Sequence, residues 1–406
     1  MAGPSTPSTA QPTWRDLGPG LLLAATGIGA GDMVGAAISG AEYGLTLVWA
    51  LAAGVLVKFA ITEGAARWQL ATDTTLIEGW RDHLPDALVI AFFLYFCTWS
   101  YFVSSALVAA SALVPAALLP GIGLPAWGIV HACAALAMVW VGRYEGLLTV
   151  MKVFIAMMFA AVLATVLLIL FRTGADWSTV GSTQPFSVPY TLSLIGGVGG
   201  TVTLLSYGYW MREAGWSGPD RIRFARYDLT ASFLMVFLFS LAMIFLSTQI
   251  PWEGAVLDEG PGLALLLGDR IGAETGPVGR AIFLAGFWGA AFSSVVGVWH
   301  GVPFLFDDWL HLWRRQTPTG QRGGAYRSWA VVLTGAAISA MFLGRPVWFV
   351  FAYTVVGSLF FPFVIATLLW MNNSRHVPVP WRSTRAVNVV LGAALLLYLY
   401  LAIRSI

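Results

Sequence analysis

Charge is scarce in this chain. Only 10% of its 406 residues are Asp, Glu, Lys or Arg, against about a quarter in soluble domains, which excludes an ordinary water-soluble globule. Cysteine is nearly missing: Cys97 and Cys133 are the whole complement, both within apolar stretches, so they read as packed thiols and exclude a disulfide scaffold. The five histidines, His83, His131, His300, His311 and His376, have no metal-ligand spacing among them. An intramembrane enzyme needs a convergent set of nucleophile, base and ligands, and that set is not visible. No glycine-rich phosphate loop with its lysine is present, which argues against an ATP-driven pump. No cofactor and no nucleic-acid partner are expected.

What fills the chain is hydrocarbon. Hydrophobic residues make up 58% and the mean hydropathy is +0.76, as in an all-α polytopic protein whose partner is the lipid bilayer. At roughly 20 apolar residues per span, helices are expected near 18–42, 45–66, 87–110, 124–141, 148–171, 190–210, 228–250, 279–305, 328–343, 346–371 and 386–403, about eleven in all. The segment 112–119 reads as a helical extension rather than part of a span. Sixteen of the 22 Lys and Arg residues fall on one side of this map and five on the other, with Lys58 inside a span. By the bias of basic residues toward cytoplasmic loops, the N-terminus is expected inside and the C-terminus outside, in the plasma membrane. Residues 1–13, rich in Pro, Ser and Thr, read as a disordered tail. Glu253, Asp258, Glu259, Asp269 and Glu274 fall in one acidic outer loop.

The organising stretch is Gly18 to Gly44, GPGLLLAATGIGAGDMVGAAISGAEYG. It is apolar enough to cross a bilayer, yet Gly27, Gly29 and Gly31 alternate just ahead of Asp32. A carboxylate at that depth marks a functional site by default, and clustered glycines mark a helix opening into a protein-lined cavity. Half a chain later, GGVGGTVTLLSYG at 196–208 repeats the pattern. Paired interrupted helices in two halves point to a transporter's binding site. The spans then divide into a repeat at 14–171, a second at 190–371 and an eleventh helix at 386–406. Five spans per repeat is odd, so the copies insert in opposite senses.

Other polar residues in the spans have open readings. Lys58 either snorkels or pairs with a neighbouring helix, or it joins Glu63 in a proton or ion relay. His131 is a packing group or a proton carrier. Tyr207, Tyr209 and Trp210 form an interfacial belt or line a pathway. Adjacent Asp307 and Asp308 point different ways on a helix and make no chelating pair. Pro362 predicts a kink.

Gly18-Pro19-Gly20 through Gly44, the helix after it and VGSLFFPFVIATLLWMNN at 356–373 resemble the Nramp family of divalent-metal transporters. The resemblance implies a LeuT-type fold, a 5+5 inverted repeat with discontinuous first and sixth helices. The family's Asp-Pro-Gly-Asn motif falls on Gly29, Ala30, Gly31 and Asp32, so an aspartate stands at the asparagine position. Its Met-Pro-His falls on Thr203, Leu204 and Leu205, and a tenth-helix glutamine on Phe360. With no soft ligand left, the expected donors are oxygens: Asp32 and Thr203 for a metal, with Gly29, Gly31, Ser206 and Tyr207 completing the substrate site. Hard donors suit magnesium or calcium better than soft metals. The expected function is alternating-access transport of a divalent cation of the Mg2+ or Mn2+ class, with Glu42, Glu63 or His131 carrying coupling protons. A carrier of a small organic or cationic solute is the alternative, the aromatic run enclosing a cation through ring faces.

Overall fold

The computed structural model describes residue 13 and residues 17–29, 31–119, 121–173, 181, 188–249, 262–318, 320–344 and 346–404. Among these, all regular structure is helical. The first span is two pieces, Pro19–Gly27 (α1) and Ala36–Tyr43 (α2), joined through a π-turn at Gly31–Gly35. Val48–Thr72 (α3), the short Leu76–His83 (α4), Asp86–Leu118 (α5), Leu124–Val141 (α6) and Tyr144–Leu168 (α7) follow. The sixth span is again two pieces, Val188–Gly197 (α8) and Ser206–Glu213 (α9), separated by Val198–Thr201 and a 3-10 turn at Val202–Leu205. Ile222–Thr248 (α10), Gly262–Trp313 (α11), Gly324–Met341 (α12), Pro346–Ser358 (α13), Phe360–Met371 (α14) and Arg385–Arg404 (α15) complete the order.

Seven helices among the described residues are long and apolar enough to cross a membrane. The other expected spans are the two broken ones, α12 and α15. Residues 112–118 continue α5 as the helical extension. One reading changes: Asp269 and Glu274 lie in α11 rather than in a loop, Asp269 pairing with Arg280 at 2.6 Å across the interruption at Gly276. Glu253, Asp258 and Glu259, like residues 1–12 of the expected tail, lie outside the described residues. The expected kink falls at Leu359, between α13 and α14, because Pro362 has no N–H to give the Ser358 carbonyl.

Small residues set the helix spacing. A Cβ on Gly40 would overlap the Ile244 carbonyl oxygen and come 2.8 Å from Ser247 Cβ, so glycine lets α2 lie against the backbone of α10. Close approach of this kind replaces the hydrophobic drive that helices lack in lipid.

The N-terminus of α1 is capped from a distance. Asp228, buried on α10, accepts from Gly18 N (3.2 Å) and Gly20 N (2.6 Å), and Tyr207 OH donates to the same carboxylate at 3.0 Å. The N-cap residue of α1 is itself a glycine without a side chain, so Asp228 supplies the acceptor that a Ser or Asp would give locally, and its charge complements the helix dipole. Gly20 is the partner of this arrangement, since a Cβ there would sit 2.7 Å from Asp228 Cγ. Below the latch opens a vestibule of about 1040 Å³, lined among others by Gly18, Pro19, Tyr144, Lys152 and Arg327. Farther along α1, Leu22 to Ile28 are buried in the protein.

Two outcomes are expected. Gly40→Ala destabilises the protein by about 1–3 kcal/mol through overpacking, whereas Gly335→Ala on α12, where a Cβ meets nothing within 4 Å, stabilises by up to about 1 kcal/mol; thermal unfolding in detergent compares them. Asp228→Ala removes a cap worth about 1–2 kcal/mol. It also speeds modification of Leu22→Cys by an impermeant thiol reagent, in a background with Cys97 and Cys133 replaced; an unchanged rate would show that the latch does not hold α1.

Candidate substrate site

The two breaks touch. A Cβ on Gly27 would sit 3.0 Å from Gly199 O, and one on Gly200 would sit 3.8 Å from Gly27 Cα. Gly199 and Gly200 adopt φ of +75° and +87°, a conformation glycine takes without the steric cost of a Cβ. Asp32 stands at this crossing, fully buried. Its carboxylate accepts from Gly199 N (3.1 and 3.2 Å), Ser240 Oγ (3.0 Å) and Gly29 N (3.4 Å). It also sits in the first turn of the helix that resumes at Gly31, where the dipole favours an anion.

Lys58 serves the other break. Its side chain is 1% exposed, and its ammonium donates to Gly196 O (2.9 Å) and to Val198 O, carbonyls freed where α8 ends. The Phe361 ring lies 5.3 Å from the same nitrogen. Val198 O and Gly199 N belong to one peptide group. The cation therefore grips its carbonyl end and Asp32 its N–H end, and each charge meets the helix terminus of opposite sign. Burying either charge alone would cost several kcal/mol; bound through a polarised peptide, both are compensated.

The carbonyls freed at the end of α1 have different partners. Ser293 Oγ donates to Ala25 O (2.8 Å) and Ser294 Oγ to Ile28 O (2.9 Å), both from α11. The same face of α11 continues with Gly297, packed on Thr26, and Gly301, packed on Ser206. His300 then accepts from Trp210 Nε1 (2.9 Å), and Asp308 accepts from Tyr209 OH (2.6 Å) and Thr75 Oγ1 (2.5 Å). Asp307 turns elsewhere, accepting from Gly320 N (2.8 Å), in line with the expectation that the two aspartates form no pair.

The residues anticipated from sequence fall into separate places. Asp32 and Gly29 are together, Gly31 begins the turn that carries Asp32, and Thr203 adjoins the site through Gly200, whose Cβ would lie 2.6 Å from Thr203 Oγ1. Ser206 is turned to α11 and Tyr207 is bound to Asp228, so the structure places neither on Asp32. Glu63 accepts from Arg67 (3.3 Å from Nε to Oε2) and from Arg226 Nε (2.7 Å), and Arg67 reaches on to Trp381 O at 3.0 Å. That is an ion-pair centre tying α3 to α10 and the segment before α15. Both His131 nitrogens are engaged, Nδ1 with Trp127 O (2.7 Å) and Nε2 with Trp288 Nε1 (2.8 Å); since Trp288 can only donate, the ring is the neutral Nδ1–H tautomer. Glu42 is exposed near the C-terminal end of α2. Sequence reasoning missed Ser240, Gly199 and Asp228. Ser240 could have been found as a hydroxyl alone in an apolar run; Asp228 stood at the expected start of a span and read as boundary. No group of three or more His, Cys, Asp or Glu side chains suited to a metal occurs among the described residues.

Known proteins match this architecture. A manganese transporter from Eremococcus coleocola, solved with an aromatic bis-isothiourea compound, superposes with a TM-score of 0.72 at 16% identity, covering 98% of this chain and 88% of that one. Mhp1, a nucleobase-cation-symport-1 family transporter in a closed conformation with bromovinylhydantoin, gives 0.64 at 14% identity over 97% and 94%. MhsT in complex with L-phenylalanine gives 0.58 at 15% over 96% and 99%. These likenesses establish the LeuT-type fold. A sequence search of curated proteins finds no match. The family model described as natural resistance-associated macrophage protein-like matches residues 20–406, and the chain therefore belongs to the Nramp family, as an integral membrane transporter rather than an enzyme.

Proposed function

We propose that the chain is a secondary active transporter working by alternating access, with a divalent cation of the Mg2+ or Mn2+ class as cargo. One observation carries the reading: Asp32 is buried where two broken helices meet, at the depth and helix junction from which such carriers bind ions. The donors within reach are oxygens, namely Asp32, Ser240, Thr203 and backbone carbonyls, which suits a hard ion that keeps part of its water. The family resemblance and the manganese transporter among the structural neighbours support a metal cargo. In the closed arrangement described above, protein donors occupy the carboxylate, and the cargo takes their place when one half-helix moves. Residues 14–171 and 190–371 act as the two inverted repeats and 386–406 as an added helix. The arginine-rich face is the cytoplasmic one, with the N-terminus inside and the C-terminus outside. Glu42, Glu63 and His131 remain the proton-path candidates, Glu63 held by two arginines and His131 by the Trp127 carbonyl and the Trp288 indole.

A second reading has its own observation. Lys58 already balances Asp32 across one peptide, so a small organic solute of no net charge would enter without adding charge to the site. Purified protein in liposomes separates the two. Under the metal reading, Mg2+ or Mn2+ uptake is saturable, acidifies the lumen and is abolished by Asp32→Ala, while Glu42→Gln leaves uptake but uncouples the proton. Metal flux indifferent to Asp32→Ala sinks the reading, and saturable uptake of labelled small solutes of no net charge, neutral or zwitterionic, without metal flux replaces it with the second.

A further inference from the structure

The Lys58 ammonium sits in surroundings that a free monovalent cation would choose. Two carbonyls converge on it from the C-terminal end of α8, at 2.9 Å for Gly196 O and closer for Val198 O. The negative end of the helix dipole points at it, and the face of Phe361 lies 5.3 Å away. Nothing else among the hydrogen bonds of the described residues caps those two carbonyls. The approach of α3 is built for this reach. Gly54, one helical turn before Lys58 on the same face, lets α3 close onto α8, since a Cβ there would come 3.0 Å from Ile195 Cα.

We propose that the end of α8 is a monovalent-cation site that this chain fills with its own side chain, so that Lys58 is a tethered counter-ion. The tether fixes the position of one peptide, Val198–Gly199, whose N–H holds Asp32, and it keeps the carboxylate balanced while the carrier carries no cargo. A transporter with such a residue has no need of dissolved sodium or potassium to fill this position. The role assigned to Asp32 rests on the reading under Proposed function; the occupancy of the carbonyl site by an ammonium does not.

The test is chemical rescue of the full-length protein. Lys58→Ala removes both the amine and its stem, and Lys58→Gln keeps a neutral donor for the carbonyls so that the fold is retained. In thermal unfolding, Lys58→Ala is expected to melt below wild type and to recover on addition of ammonium or n-butylammonium chloride, but not of choline chloride. In liposomes, wild-type transport is expected to be unaffected by replacing sodium and potassium with choline. Lys58→Gln is expected to transport about tenfold more slowly in choline, the scale of one lost charge-assisted hydrogen bond, and to regain rate with ammonium or potassium. Lys58→Gln running at the wild-type rate in choline, or Lys58→Ala showing no ammonium-specific stabilisation, overturns the proposal. The melting experiment contains no cargo. Ammonium rescue together with a wild type that moves no metal would therefore overturn the metal reading and uphold the tether.

Discussion

The site hangs on a single peptide group. Between Val198 and Gly199 the sixth span has left its helix, and a peptide stranded in the middle of a bilayer protein needs partners for both its polar ends. Lys58 supplies one and Asp32 the other. Neither charge is tolerable at that depth alone, and the free peptide is not either. Three groups that are each costly become mutually satisfied, and the positive φ of Gly199 and Gly200 is the backbone geometry that lets them face one another.

Around this core the two broken helices solve the same problem with different chemistry. The end of α1 is closed by neutral hydroxyls, Ser293 and Ser294 on α11. The end of α8 is closed by an ammonium on α3. The two breaks therefore differ in charge, and the difference gives the site a cationic side and an anionic side at either end of one amide.

How much of this could be read from residues alone follows from the same distinction. Backbone breaks leave local marks: alternating Gly27, Gly29 and Gly31 beside an acid, and the glycine cluster at 196–200, located both interruptions, and hydropathy located the spans. Partnerships across the fold leave none. That Tyr207 would turn to Asp228 instead of Asp32, or that Ser240 would reach the carboxylate from 208 positions away, depends on how α10 crosses α1, which no local pattern encodes. Lys58 and Glu63 fall between these cases. Their burial was evident as an anomaly, and Arg67 stands one turn beyond Glu63 on the same helix, but the pairing with Arg226 and with the end of α8 is contributed by tertiary packing. The resemblance at Gly29 to Asp32 and Thr203 to Leu205 likewise implied that the family's soft ligands are missing, without indicating which groups stand around Asp32.

The way α1 is fastened has a mechanical consequence. One end of this nine-residue rod is pinned to α11 by two serines, and the other is bolted to α10 by a lone aspartate. Were the bolt drawn, the serine pair would remain as a fulcrum, and the free edge of the rod beside the vestibule would have the longest lever arm. Leverage of that kind concentrates displacement at the Asp228 end and spares the carboxylate near the hinge.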